Sequence, residues 1–159
     1  MASLGAERDG PLLRKVDAIT VPVTDLNTGI RFYVEALGHA LLWRNDQIGQ
    51  AGLGLPEADT EIVLTTRQGY EPNWLVESAD EAATRVLEAG GRVLHEPFDV
   101  PVGRMAVVAD PFENVLVLLD LSNGRYVTDE HGQVTGVVAL PYDGRPSAPD
   151  GDVDRRAEP

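Results

Sequence analysis

The feature that most constrains this chain is an internal repeat. Shifted by 53 residues, "VEALGHAL" (34–41) lies on "LEAGGRVL" (87–94), with Glu35 on Glu88, Ala36 on Ala89 and Gly38 on Gly91. Similarity at such a period marks a duplicated supersecondary unit. One copy alone is too small to bury both faces of a sheet. The two copies must therefore complete each other.

Each copy reads as strand, helix and three strands. In "VDAITVPV", Val16–Val23, the residues Ile19, Val21 and Val23 alternate with Ala18, Thr20 and Pro22, which predicts a strand with two distinct faces. "TDLNTGIRFYVEALG" then spaces Leu26, Ile30, Tyr33 and Leu37 as a helix, with Thr24 or Asp25 to cap it and Gly38 to stop it. Strands are expected near 39–45, 48–54 and 61–66.

The second copy starts near Asn73–Val76. Ser78 and Glu81 have capping-box spacing, Ala82, Val86 and Ala89 form an apolar stripe, and Gly90–Gly91 end the helix. Strands near 92–96, 103–109 and 114–120 complete it. The expected division is a flexible segment over 1–15, modules over 16–66 and 67–126, and a hairpin-like extension with a disordered acidic tail over 127–159. Helices cover one face through Ile19, Val21 and Val23. The other faces, carrying Ala18 and Thr20, are expected to meet across a shared cavity, where a site belongs.

Charge narrows the partners. The net charge is −13, with one Lys among 13 basic residues. That argues against nucleic acid, which requires a basic face, and favours cationic ligands through the long-range field. No apolar run is long enough to span a membrane. The chain has no cysteine, and its start lacks the plan of a secretory signal, so a cytoplasmic location is expected.

"VDAITVPVTDLNTGIRFYVEALG", "VESADEAATRVLEAGGRV" and "GRMAVVADPFENVLVLLDLSNGRY" together resemble the vicinal oxygen chelate superfamily of glyoxalases, bleomycin-resistance proteins and extradiol dioxygenases. The resemblance covers roughly 16–126. It implies an α+β fold of two βαβββ modules forming a cupped mixed sheet with helices on the outer face. It also implies a divalent metal held by His on first strands and Glu on last strands of the modules, because such ligands suit a Lewis acid that chelates neighbouring substrate oxygens.

Carried over one at a time, those ligand positions fall on Ala18, Val63, a residue near Glu71, and Val117. Three have no ligand atom, and one Glu cannot hold a catalytic metal. Glu61, two residues before Val63, is the only partner that Glu71 finds on the same face. His39, His95 and His131 show no shared spacing.

The expected cavity-facing residues are Ala18, Thr20, Trp43, Glu61, Val63, Glu71, Asn73, Arg104, Met105 and Val117. For Arg104 two readings stand, a pair with Glu71 at the pocket wall that binds polar substrate groups and a structural salt bridge, and Trp74 is expected to face the helices. No metal or cofactor is expected. The resemblance then implies a metal-free small-molecule binding protein, similar to the antibiotic-sequestering branch of the superfamily and acting as a homodimer. The alternative is a lyase, isomerase or other enzyme with displaced metal ligands, or metal-free acid–base catalysis by Glu71.

Overall fold

The computed structural model describes residues 10–140. The tail expected beyond 140 and the first nine residues lie outside that range. The first module runs β1 (Lys15–Pro22), α1 (Leu26–Ile30, continuing in wider π turns through Ala36), β2 (Leu41–Asn45), β3 (Gln50–Leu55) and β4 (Ala58–Thr65). The second runs β5 (Glu71–Leu75), α2 (Ala79–Glu88), β6 (Arg92–Val100), β7 (Gly103–Ala109) and β8 (Val115–Asp120). A hairpin follows, β9 (Arg125–Thr128) and β10 (Val134–Val138).

Both helices start where the sequence offers a cap. Asp25 Oδ1 accepts the Thr28 N–H at 2.8 Å, and Ser78 Oγ accepts the Glu81 N–H at 3.1 Å. Asp120 adds a second tie to α2, its Oδ2 accepting the buried Ala79 N–H at 2.8 Å. The helices end at Gly38 and Gly90, both at positive φ (85° and 105°), where other residues are strained.

The eight strands of the modules form one sheet in the order β2-β3-β4-β1-β5-β8-β7-β6. Within each module the first and last strands pair parallel, and the modules join through the antiparallel pair β1–β5. The two half-sheets expected to face each other across a cavity are thus joined edge to edge. The physical reason is that β1 and β5 each have a free edge, and pairing those edges satisfies backbone groups of both modules at once.

Opposed residues in an antiparallel pair share a face. Ala18 lies opposite Asn73, Thr20 opposite Glu71, and Ile19 opposite Pro72. A register shift between Val16 and Ala18 leaves Asp17 without an opposite number on β5. On one face Leu26 of α1 packs with Ala51, Leu53, Leu64, Val21 and Ile62, and Ala82 of α2 with Val76, Ala106, Val108 and Leu118. Trp74 packs in the second of these groups, its indole N–H buried without a hydrogen-bond partner among the described residues. Residues 10–14 also lie against α2, where Arg85 donates to the Gly10 carbonyl at 2.9 Å.

Candidate functional site

The face turned away from the helices gathers nine of the ten expected site residues. Register alone places Ala18 and Thr20 beside Glu61 and Val63 on one side, and beside Asn73 and Glu71 on the other. Val117 lies opposite Asn73 on β8, and Met105 opposite Leu119 on β7. Trp43 packs with Ala18 and Val63. A bulky indole reaches there because Gly52, opposite it on β3, has no side chain: a Cβ on Gly52 would stand 2.1 Å from Trp43 Nε1.

Arg104 is the exception. The stretch "GRMAVVA" is too uniformly apolar to reveal its inward parity. With Met105 on the helix-free face, Arg104 must point the other way. Its Nε and Nη2 donate to both carboxylate oxygens of Asp80 at 3.0 Å, and its Nη1 to Asp99 at 2.9 Å. The Arg104–Glu71 pair is therefore replaced by a fork on the first turn of α2. The Glu71 side chain makes no hydrogen bond or ion pair among the described residues.

The first-module half of the face is not open. Trp43 Nε1 donates to Glu61 Oε1 at 2.8 Å, and its ring meets Tyr126 with centroids 4.7 Å apart. Val134 packs on the same group, so the β9–β10 hairpin covers Ala18, Trp43 and Val63. The hairpin-like extension expected from 127 onward thus packs onto the sheet, with its first strand starting at Arg125. The alternation of Tyr126 with Val127 and Thr128 was the available signal, and it is only a few residues long. On the second-module half, Met105, Val117 and Leu119 are buried beneath Val100, Val102 and Leu121.

Five polar groups stand out in this apolar setting. Asn73 is 5% exposed and its Oδ1 has no hydrogen-bond partner among the described residues. Arg125 Nε, on β9, is likewise buried without one. Burial pushes the Asp17 carboxyl above its ordinary value, with the charges of Arg125 and Lys15 pulling it back. Burial also raises the Tyr126 phenol, against a hydrogen bond with Asn45. Thr20 is fully buried, and its hydroxyl reaches the Gly69 carbonyl at 2.6 Å, tying β1 to the link between the modules.

The residues present do not fit the metal that the superfamily's enzymes hold. Ala18, Val63 and Val117 are apolar and nearly inaccessible. Glu61 and Glu71 flank β1 from opposite sides, opposite Ala18 and Thr20 respectively, which puts their Cα atoms roughly 12 Å apart. No third donor joins them: among the described residues no group of three His, Cys, Asp or Glu is placed to hold a metal ion.

A groove of about 490 Å³ opens elsewhere, on the helix side, between α2 and residues Pro11, Leu12 and Arg14. Among the described residues no helix is long and apolar enough to cross a membrane.

The family model described as "Glyoxalase/Bleomycin resistance protein/Dioxygenase superfamily" matches residues 15–118. The curated proteins contain no match. Among solved structures, the chain is similar to methylmalonyl-CoA epimerase from Mycobacterium tuberculosis, at 21% identity and a TM-score of 0.56, covering 70% of this chain and 90% of that one. It is also similar to Streptomyces coelicolor methylmalonyl-CoA epimerase in complex with 2-nitronate-propionyl-CoA, at 20% identity and a TM-score of 0.53, covering 68% and 97%. A hypothetical protein from Bacillus halodurans gives 21% identity and a TM-score of 0.55, covering 67% and 93%. At such identities the likeness is one of fold.

Proposed function

The chain belongs to the glyoxalase/bleomycin resistance protein/dioxygenase superfamily, and from that premise we propose that it binds a small organic molecule on the helix-free face without a metal. The observation that carries this reading is the replacement of metal-ligand positions by packed apolar side chains, Ala18, Val63 and Val117, each under 7% exposed. A site built this way offers shape and apolar contact, with a few polar groups to orient what it holds. Asn73 Oδ1 supplies an acceptor and Glu71 an anion. Together with the net charge of −13, they favour a ligand carrying a cationic or hydrogen-bond-donating group. A homodimer in the cytoplasm belongs to the same reading.

The test is calorimetric titration with cationic glycopeptides and planar basic antibiotics, in buffer containing a chelator, with melting temperature followed in parallel. Binding is expected to persist in the chelator. A ligand at a hundredfold excess over its Kd stabilises the fold by about 2.7 kcal/mol. Absence of heat and of any melting shift across the panel overturns this reading.

A second reading rests on the Glu71 carboxylate, which stands on that face without a hydrogen-bond partner among the described residues. Such a group can serve as a general base if a bound ligand desolvates it. Turnover that disappears in Glu71→Gln while ligand affinity remains would establish it.

A further inference from the structure

The β9–β10 hairpin lies beyond residue 118, where the family match ends. It nevertheless fills the first-module half of the face. Its base is tied to the second module: the Asn123 N–H donates to the Val102 carbonyl at 2.8 Å, and Asn123 Nδ2 to the Pro101 carbonyl at 3.2 Å. Its tip is tied to the first: the Arg44 N–H donates to the Gly132 carbonyl at 2.8 Å, and Arg44 forms a single bridge with Gln133. Between these ends, Tyr126 and Val134 press on Trp43, Ala18 and Val63. The hairpin thus crosses from one module to the other.

We propose that this hairpin is a releasable strap, an internal occupant that must lift from Trp43 before a small molecule reaches the first-module half of the face. Two features favour release over permanent closure. The tip meets the sheet through a single isolated bridge, which includes the Arg44 to Gly132 bond, whereas neighbouring core strands share continuous ladders. The closed arrangement also leaves Nε of Arg125, on the hairpin itself, buried without a hydrogen-bond partner among the described residues, a cost that opening to water removes. The hairpin is internally braced, with the Asp129 carboxylate accepting the His131 and Gln133 N–H groups at its tip. It can therefore move as a unit while its own ladder persists. The strap's role as a gate rests on the binding reading above; its opening does not.

The test needs no ligand. The chain has no cysteine, so Arg44→Cys with Gln133→Cys in the full chain gives a lock that closes on oxidation and opens on reduction. The reporter is hydrogen exchange of the Trp43 indole N–H, which is bonded to Glu61 beneath the strap. The Trp74 indole N–H, on the helix face, is the internal control. Expected is at least tenfold slower Trp43 exchange in the oxidised protein than in the reduced one, with Trp74 unchanged. The unlocked single variant Tyr126→Ala should speed Trp43 exchange and leave β4 amide exchange as it is. Equal Trp43 rates in oxidised and reduced protein overturn the proposal. A strap that opens on this test in a protein that binds nothing on titration would sink the binding reading alone.

Discussion

Trp43 of β2 and Tyr126 of β9 stand with ring centroids 4.7 Å apart and planes inclined by 50°, so a residue inside the matched family region is sealed by one outside it. The contact is tilted, as quadrupolar rings prefer, and the Glu61 carboxylate fixes the indole from the other side. Tyr126→Ala should cost about 2 kcal/mol through lost ring contact and the cavity left behind. Trp43 emission should move to longer wavelength as water reaches the indole. Urea unfolding and fluorescence spectra of the variant in a Trp74→Phe background check both.

Asp120 is the polar joint of the second module. Its Oδ2 accepts the Ala79 N–H, and its Oδ1 takes the Arg104 and Ser122 N–H groups and the Ser122 hydroxyl, all while 3% exposed. Asp120→Ala strands these donors, and the loss should be about 2–4 kcal/mol, well beyond a surface change. Denaturant midpoints measure it.

Asp17 should reverse the usual acid behaviour of a carboxylate. Its folded pKa is raised above the ordinary 3.8 by burial, so between those values the folded state holds more protons than the unfolded one, and stability falls as pH rises through that window. Asp17→Asn should therefore raise the melting temperature at pH 7 by a few degrees, and the gain should vanish below pH 3.8. Asp25, Asp80 and Asp110 act in the opposite sense. Hydrogen bonds from the Thr28 backbone, the Arg104 side chain and the Asn114 side chain hold them below 3.8, so their contribution is present above that value and is lost as pH falls through their folded pKa. Melting curves of both proteins against pH separate the two trends.

Arg104 should matter to the fold and not to the site. Its fork on Asp80 and its bond to Asp99 are partly exposed, and its direction toward α2 keeps it away from Glu71. Arg104→Gln should lower the melting temperature slightly, by an amount that shrinks in high salt, and should leave ligand affinity unchanged. A large loss of affinity would return Arg104 to the site.

Much of this architecture is legible in the residues. The caps at Asp25 and Ser78, the stops at Gly38 and Gly90, and the alternation through Ile19 and Val21 are local signals, and local hydrogen bonding carries them into the fold. Leu116 and Leu118 pack under the helix while Val117 and Leu119 take the other face, as parity along "VLVLL" requires. What could not be read depends on contacts distant in sequence. "GRMAVVA" is apolar on both faces, so only its pairing with β8 decides where Arg104 points. The shift at Asp17 depends on how β1 meets β5. The strap depends on a tyrosine finding a tryptophan 83 positions earlier, across a glycine that makes room for the indole.

The central claim is that the helix-free face binds a small molecule without a metal, and the two tryptophans read it directly. Trp43 lies on that face and Trp74 on the other, so the protein has one indole N–H resonance for each. The measurement is a ligand titration in a chelator, followed by those two resonances. The account predicts that the Trp43 signal shifts with saturation and the Trp74 signal stays in place. A shift at Trp74 alone, or binding that disappears with the chelator and returns with added metal, would contradict it.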